Sequence, residues 1–215
     1  MYDLVSLGKA ARQASMKLRT SDTNTRNAAL CTIAASLREN MPEILEANRL
    51  DLATARAAGI RSVMIDRLTL NADRIRGIAD AAEEVSRLAD PIGVIDRGTT
   101  RPNGLQILKT RVPIGVVAMI FEARPNVTVD AAVLCLKSGN ACILRGGKEA
   151  FATNRALARL MREGVEKSGL PADSIGLVED TSHETAERLM KLNGYIDVLI
   201  PRGSARLIRS VVENA

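Results

Sequence analysis

The amino-acid sequence predicts an α/β protein with a helical amino-terminal region, a β-hairpin and a parallel sheet. In residues 1–92, apolar residues recur at spacings of three and four, as in amphipathic helices. From residue 114 onward, short apolar runs alternate with helical segments. Such alternation is typical of parallel strands whose sheet is covered by helices on both faces. We therefore divide the chain into residues 1–92, a hairpin at 93–113 and a Rossmann-like part at 114–215.

Four helices are predicted in the amino-terminal region. The first spans Leu4–Leu18, and the second has its apolar stripe within residues 30–37. The third spans Pro42–Gly59, because proline fits the first turn of a helix and glycine often closes one. The fourth lies between Asn71, a candidate N-cap, and Pro91, which cannot continue a helix.

The periodicity changes at Gly93, where the predicted hairpin begins. Its strands are Val94-Ile95 and Leu105–Lys109, and the connection contains Pro102-Asn103-Gly104, which has turn chemistry. This hairpin is expected to leave the body of the domain. Strands and helices then alternate, at residues 114–120, 127–137, 141–144, 150–167, 175–178, 184–191, 195–200 and 205–212.

Composition excludes several classes of function. Aromatic residues make up 2% of the 215 residues, so a base-stacking surface for nucleic acid is not expected. The net charge of +5 is spread over interleaved cations and anions rather than a basic arm. No apolar run reaches the length of a membrane span, and the amino terminus lacks the pattern of a secretory signal. We expect a cytoplasmic protein that binds neither membrane nor nucleic acid.

The three cysteines, Cys31, Cys135 and Cys142, form no metal-binding or disulfide pattern. Cys135 and Cys142 lie in apolar runs, where cysteine behaves as a small buried residue. The single histidine, His183, follows Thr181-Ser182 and is interpreted as a surface residue at a helix start rather than a general base. No metal site is predicted.

Ligands of open parallel sheets bind beyond the carboxyl ends of the strands. The loop after residue 144 reads Arg145-Gly146-Gly147-Lys148 and leads into a helix. Two glycines, two cations and the N–H groups of a helix start suit a phosphate, including a nucleotide 2′-phosphate. The alternative is a tight turn with two solvated cations.

Two further loops are candidates. Pro201-Arg202-Gly203-Ser204 precedes a helix and could hold a pyrophosphate, although Ser204 alternatively serves as an N-cap. Asn126 follows Arg124-Pro125 at another helix start. Its side-chain amide either caps that helix or faces the pocket as an oxyanion donor.

Several stretches, taken in order, resemble the glutamate-5-semialdehyde dehydrogenases, also called γ-glutamyl phosphate reductases, of the aldehyde dehydrogenase superfamily. The resemblance covers essentially the whole chain and is highly specific. The matching segments are FEARPNVTVD at 121–130, LKSGNA at 136–141, ILRGGKE at 143–149, YIDVLIPRG at 195–203 and LADPIG at 88–93.

The resemblance implies an enzyme of proline biosynthesis that uses NADPH to reduce L-glutamyl 5-phosphate to L-glutamate 5-semialdehyde. It implies that Arg145, Gly146, Gly147 and Lys148 meet the adenosine ribose and 2′-phosphate. By the same resemblance, Pro201, Arg202, Gly203 and Ser204 approach the pyrophosphate, and Asn126 faces the reacting carbonyl. Glu122 and Arg124 belong to the same segment but receive no separate role.

The family chain is longer, and its nucleophilic cysteine lies beyond the position that corresponds to residue 215. Cys31, Cys135 and Cys142 do not match it. The expectation is therefore a truncated, NADPH-binding portion that is inactive alone. The alternative is a stand-alone nucleotide-binding or regulatory module that pairs with full-length subunits. The resemblance also implies homo-oligomers formed through residues 94–112 and an association with glutamate 5-kinase.

Overall fold

The computed structural model describes residues 2–214. Within them, five helices precede the hairpin: α1 (Leu4–Thr20), α2 (Thr23–Glu39), α3 (Met41–Ala57), α4 (Ser62–Leu68) and α5 (Ala72–Arg87). The predicted N-cap of α5 is confirmed, because the Asn71 side chain accepts a hydrogen bond from the Arg74 N–H at 2.8 Å. Helix α4 was not predicted. It is seven residues long and buries Leu68 alone, so it has no apolar stripe to detect.

The hairpin consists of β1 (Ile95–Thr100) and β2 (Gln106–Thr110), which pair antiparallel. Gly104 takes a φ of 84° at its turn, in the left-handed region that glycine adopts without steric cost. Strand β1 is longer than predicted, since its polar residues do not alternate with apolar ones. Every residue of both strands is exposed, so the hairpin leaves the body of the domain as expected.

The second sheet is parallel and has the order β5-β4-β3-β6 in residues 2–214. Its strands are β3 (Val116–Phe121), β4 (Ala141–Arg145), β5 (Ile175–Leu177) and β6 (Val198–Arg202), and the helices that follow them are α6 (Asn126–Lys137), α7 (Phe151–Lys167), α8 (His183–Met190) and α9 (Ala205–Asn214). Strands β3 and β4 lie at the centre and are almost wholly buried.

The last predicted strand, 195–200, is misplaced. Pairing with β3 begins at Val198 and continues through Arg202, so Pro201 and Arg202 belong to the strand rather than to a loop. Just before the strand, the Asp197 N–H donates to the Val116 carbonyl at 2.9 Å, and the Asp197 carboxylate accepts hydrogen bonds from Arg12 and from the Val116 N–H. A proline is tolerated at this place because β6 pairs with β3 on one side alone among the described residues.

One apolar core extends from Leu4 to Val211 and joins the helical region to the parallel sheet. Helices α2 and α7 approach closely where Gly164 faces Ile33, because a Cβ atom at Gly164 would lie 3.1 Å from the Ile33 side chain. None of the helices in the described part of the chain is long and apolar enough to cross a bilayer.

A buried asparagine links three segments of this core. The Asn48 side chain donates to the Leu68 carbonyl at 2.9 Å and to Thr153 Oγ1 at 3.2 Å, and it accepts from the Leu70 N–H at 2.8 Å. Asn48 therefore attaches α3 to the end of α4, the loop after it and the start of α7.

We expect Asn48→Ala to destabilise the protein measurably. The substitution leaves the buried Leu70 N–H and Leu68 carbonyl without partners, and each buried unsatisfied group costs roughly 1–3 kcal/mol. Urea unfolding followed by circular dichroism measures the change. Asn24→Ala, on the exposed surface of α2, is the control and should stay within about 0.5 kcal/mol of the unmodified chain. Equal losses for the two variants would contradict this role of Asn48.

Candidate functional site

Three neighbouring cavities lie around the carboxyl end of β3. The largest, about 940 Å³, opens between the ends of β3 and β4, the loop before α8 and the start of α9. A second cavity of about 650 Å³ lies between the end of β6 and α4, and a third of about 580 Å³ lies between α4, α5 and the start of α6. This is the edge of the sheet at which open α/β proteins bind ligands.

Arg145, Gly147 and Lys148 of the loop after β4 line the largest cavity, as the position of this loop predicts. Both glycines of this loop lie close to other side chains of the protein. A Cβ atom at Gly146 would lie 2.2 Å from Asn154 Nδ2, and one at Gly147 would lie 2.6 Å from the Glu149 carboxylate. Lys148 is exposed and forms no ion pair with the described residues.

Arg145 has a structural contact that the sequence did not reveal. Its guanidinium donates to the carbonyls of Thr181 at 2.6 Å and Ser182 at 3.2 Å, so it joins the end of β4 to the loop before α8. Burial lowers the pKa of this guanidinium from its ordinary value, while the charges of Glu149 and Asp180 oppose that shift. Its Nε is buried and has no hydrogen-bond acceptor among residues 2–214.

The start of α7 does not offer the unpaired N–H groups that were expected after this loop. The buried carboxylate of Asp51 accepts hydrogen bonds from the N–H groups of Ala152 at 3.1 Å and Thr153 at 2.8 Å, and from Thr153 Oγ1 at 2.6 Å. Asp51 thus fills the anion-binding position of this helix from within the protein. A phosphate at the loop must therefore use other donors, chiefly the Lys148 ammonium.

The start of α9 holds a second internal carboxylate. Glu122 accepts hydrogen bonds from the Ser204 N–H at 2.9 Å and from Ser204 Oγ at 2.7 Å. Ser204 Oγ in turn accepts from the Leu207 N–H at 3.4 Å, which is the N-cap contact considered for this residue. A Cβ atom at Gly203 would lie 2.7 Å from the Glu122 carboxylate. The position predicted for a pyrophosphate is therefore one that Glu122 fills here.

Asn126 begins α6 and does not cap it. Pro125 stands at the N-cap position, and the Asn126 amide nitrogen donates instead to Asp130 Oδ2 at 3.0 Å. Both side chains line the 580 Å³ cavity, together with Arg124. Burial raises the pKa of the Asp130 carboxyl, although the Asn126 hydrogen bond and the charge of Arg202 act in the opposite direction. An amide nitrogen has two hydrogens, so Asn126 can also donate to a ligand in the cavity.

None of the three cysteines lines these cavities. Cys31 is exposed on α2, and Cys135 and Cys142 are buried. The pKa of Cys142 is raised well above its ordinary value by a hydrogen bond with Cys135 and by desolvation, so its thiol stays neutral. His183 is exposed at the start of α8, where Ser182 is the N-cap, and it lines the largest cavity.

Comparison with known proteins identifies the family. The model described as "Aldehyde dehydrogenase family" matches residues 3–215. This chain belongs to the aldehyde dehydrogenase family. It is 52% identical to the γ-glutamyl phosphate reductase of Carboxydothermus hydrogenoformans and 50% identical to that of Caldicellulosiruptor bescii, over all 215 residues of this chain. The chain covers 52% and 51% of those two relatives, so it spans about half of their length.

Solved structures agree with this assignment to the aldehyde dehydrogenase family. The γ-glutamyl phosphate reductase of Thermotoga maritima has a TM-score of 0.97 at 40% identity, over 99% of this chain and 51% of that one. The Saccharomyces cerevisiae enzyme of the same name has a TM-score of 0.91 at 32% identity, over 100% of this chain and 55% of that one. An acetylating aldehyde dehydrogenase from Geobacillus thermoglucosidasius, at 18% identity and a TM-score of 0.73, shares the fold, over 99% of this chain and 44% of that one.

The sequence analysis did not identify the roles of several site residues of this aldehyde dehydrogenase chain. Asp51 and Glu122 accept hydrogen bonds at helix starts that lie 102 and 82 positions further along the chain, respectively. No local pattern in the sequence signals such distant contacts. Asp130 was detectable in principle, since it stands four positions after Asn126 and hence on the same helix face.

We expect Glu122→Gln to lower the melting temperature slightly. The substitution removes a negative charge from the positive end of α9, an interaction worth about 0.3–1 kcal/mol. Differential scanning fluorimetry at low salt measures it. Glu39→Gln is the control and should raise the melting temperature slightly. Glu39 lies in the last turn of α2, where a negative charge is unfavourable. A melting temperature of Glu122→Gln at or above that of the unmodified chain would show that this contact does not stabilise the helix start.

Proposed function

We propose that this chain forms the NADP(H)-binding part of an enzyme that reduces L-glutamyl 5-phosphate to L-glutamate 5-semialdehyde in proline biosynthesis. The observation that carries the proposal is the 52% identity over the whole chain with a protein named γ-glutamyl phosphate reductase. The cationic loop beside the largest cavity supports it, because that loop is where the same resemblance puts the cofactor.

The residues of the cleft fit a dinucleotide phosphate. Enzymes of the aldehyde dehydrogenase family depend on nicotinamide nucleotides. The cleft of about 940 Å³ is within the usual size of a cofactor site. In this proposal, Lys148 and Arg145 hold the 2′-phosphate, and the buried, unpartnered Nε of Arg145 marks a donor left over by the protein's own contacts. The start of α9, at Gly203 and Ser204, would hold the pyrophosphate in place of the Glu122 carboxylate.

A nicotinamide held in this cleft would supply the hydride for the reduction, in which phosphate leaves the acyl carbon. The protein's part at the reacting carbonyl is to donate a hydrogen bond from Asn126 Nδ2 to the oxygen as negative charge develops on it. Asp130 holds that amide in one orientation through its 3.0 Å hydrogen bond. Because no cysteine of residues 2–214 lines the cavities, we propose that these 215 residues by themselves do not turn the substrate over.

The proposal is tested by cofactor affinity. We expect NADPH to bind at least tenfold more tightly than NADH, because a charge-assisted hydrogen bond to the 2′-phosphate contributes roughly 1.5–3 kcal/mol and 1.4 kcal/mol is a factor of ten. Lys148→Ala should remove most of this preference, and so should Arg145→Ala, which also loses its contacts to Thr181 and Ser182. Titration of nicotinamide fluorescence measures both affinities.

Lys167→Ala, at the opposite end of α7, is the matched control and should keep the preference for NADPH. Equal affinity of the unmodified chain for NADPH and NADH would count against Lys148 and Arg145 as the 2′-phosphate site. Failure to bind either cofactor would count against the proposed function itself.

The hairpin is the proposed contact between copies of the chain. Its exposed apolar side chains include Leu105, Ile107 and Leu108, which are 57%, 47% and 57% exposed. Exposed apolar strands with free edges associate readily with other strands. We therefore expect the chain to have a mass above 23.1 kDa in light scattering, increasing with concentration.

Ile107→Asp should shift the mass toward that of the monomer, because a charge on the strand opposes burial against a second copy. Val63→Asp makes the same change on α4, at a side chain that is 63% exposed, and should leave the mass unchanged. If the unmodified chain remains monomeric at all concentrations, residues 94–112 do not form a contact between copies of the chain.

A further inference from the structure

The 580 Å³ cavity between α4, α5 and the start of α6 contains charged groups that the proposed cofactor site does not use. Its charged lining residues are Asp66, Arg67, Arg74, Arg124 and Asp130. Two of these residues form an ion pair, in which Arg74 donates to Asp66 Oδ1 at 2.9 Å. Arg74 also donates to the Asp66 and Thr69 carbonyls. The groups that remain for a ligand are the cations Arg67 and Arg124 and the anion Asp130.

The two remaining arginines are available for an anion. Neither Arg67 nor Arg124 forms an ion pair with the residues that the structure describes, 2–214. Both also line the adjoining 650 Å³ cavity, where Arg61 and Arg202 add further positive charge. The carboxylates of Glu122 and Glu149 line that cavity as well. Arg67 and Arg124 are the guanidinium groups shared by both cavities, and guanidinium groups bind carboxylates and phosphates in bidentate fashion.

The remaining carboxylate is held toward the same space. Asp130 is partly buried, and its Oδ2 accepts from the Asn126 amide. Its other oxygen, Oδ1, receives no hydrogen bond from residues 2–214, so it is free to accept one from a ligand. Burial raises the pKa of this carboxyl, and a cationic partner would offset that cost of desolvation.

We propose that this cavity binds the α-amino acid end of the substrate, with the ammonium group at Asp130 and the carboxylate at Arg67 and Arg124. The proposal rests on the proposed function, which supplies a substrate with an ammonium, a carboxylate and an acyl phosphate. Two cations beside one anion complement that pattern of charge. An aldehyde or acyl substrate without charged groups would leave all three side chains unpaired.

The position of Asn126 agrees with this arrangement. The side chains of Asn126 and Asp130 touch, so an ammonium group at Asp130 puts the reacting carbonyl, two methylene groups beyond the α-carbon, within reach of the Asn126 amide. Asp130 then has two roles: it orients the amide of Asn126, and it selects substrates that have an α-ammonium group.

The test uses the 215-residue chain and two stable probes. One is L-2-amino-5-phosphonopentanoate, which has an ammonium, a carboxylate and a terminal phosphonate. The other is 5-phosphonopentanoate, which lacks the ammonium. Dissociation constants are measured by the change of the ³¹P signal on titration. We expect the amino compound to bind at least tenfold more tightly.

Two substitutions separate the contributions of the groups. Asp130→Asn should bring the two probes to equal affinity, and Arg124→Gln should weaken both about tenfold. Arg49→Gln, which removes a cation paired with Glu46 on α3, is the matched control and should change neither affinity. Thermal melts of all variants confirm that each is folded, and the near-isosteric Asn at position 130 keeps a hydrogen-bond acceptor for Asn126.

Three outcomes would overturn the proposal: equal binding of the two probes by the unmodified chain, a preference that survives Asp130→Asn, or no saturable binding of either probe. NADPH titrations of the same samples distinguish failure of the amino acid site from failure of the proposed function. Loss of probe selectivity with NADPH binding intact refutes the amino acid site alone. Selective probe binding without NADPH binding refutes the cofactor assignment and leaves the amino acid site standing.

Discussion

Strand β3 is paired on both edges and packed on both faces, and the candidate ligand groups are placed relative to its carboxyl end. Its register with β4 puts Ile120 beside Arg145, and its register with β6 puts Phe121 beside Arg202. The next residue, Glu122, consequently meets Ser204 at the start of α9. A shift of register along β3 would break all of these contacts at once, because the residue pairs of a parallel ladder move as a unit.

The protein satisfies its helix starts with its own carboxylates around this edge. The Asp51 carboxylate accepts hydrogen bonds from N–H groups in the first turn of α7, and the Glu122 carboxylate accepts one from the Ser204 N–H, just before α9. An anionic ligand at such a position replaces an existing interaction instead of filling an empty one. The net affinity for a phosphate is then the difference between two favourable contacts, which is smaller than a bare helix dipole would suggest. In the proposed cofactor site, we therefore expect side-chain cations to be the main source of specificity.

Local patterns predicted most of the fold. The Asn71 cap, the turn at Gly104 and the apolar runs of β3 and β4 depend on neighbours in sequence, and each is present in the structure. The sequence did not predict helix α4, and it placed the start of β6 three residues too early. Both errors arise where local patterns give no signal. Helix α4 lacks an apolar stripe, and the position at which β6 begins is set by its pairing with β3, about eighty positions earlier in the sequence, rather than by a local pattern.

The sequence by itself determined the alternation of strands and helices, the loops that line the cleft and, through its specific segments, membership of the family. Tertiary structure decided which polar groups in those loops are free and which are used. Arg145 proved to be a contact between two loops, and Asp130 proved to be the partner of Asn126 in a charged cavity. The physical reason is that hydrogen bonds between distant segments leave no periodic trace in a sequence, whereas burial of one face of a helix or strand does.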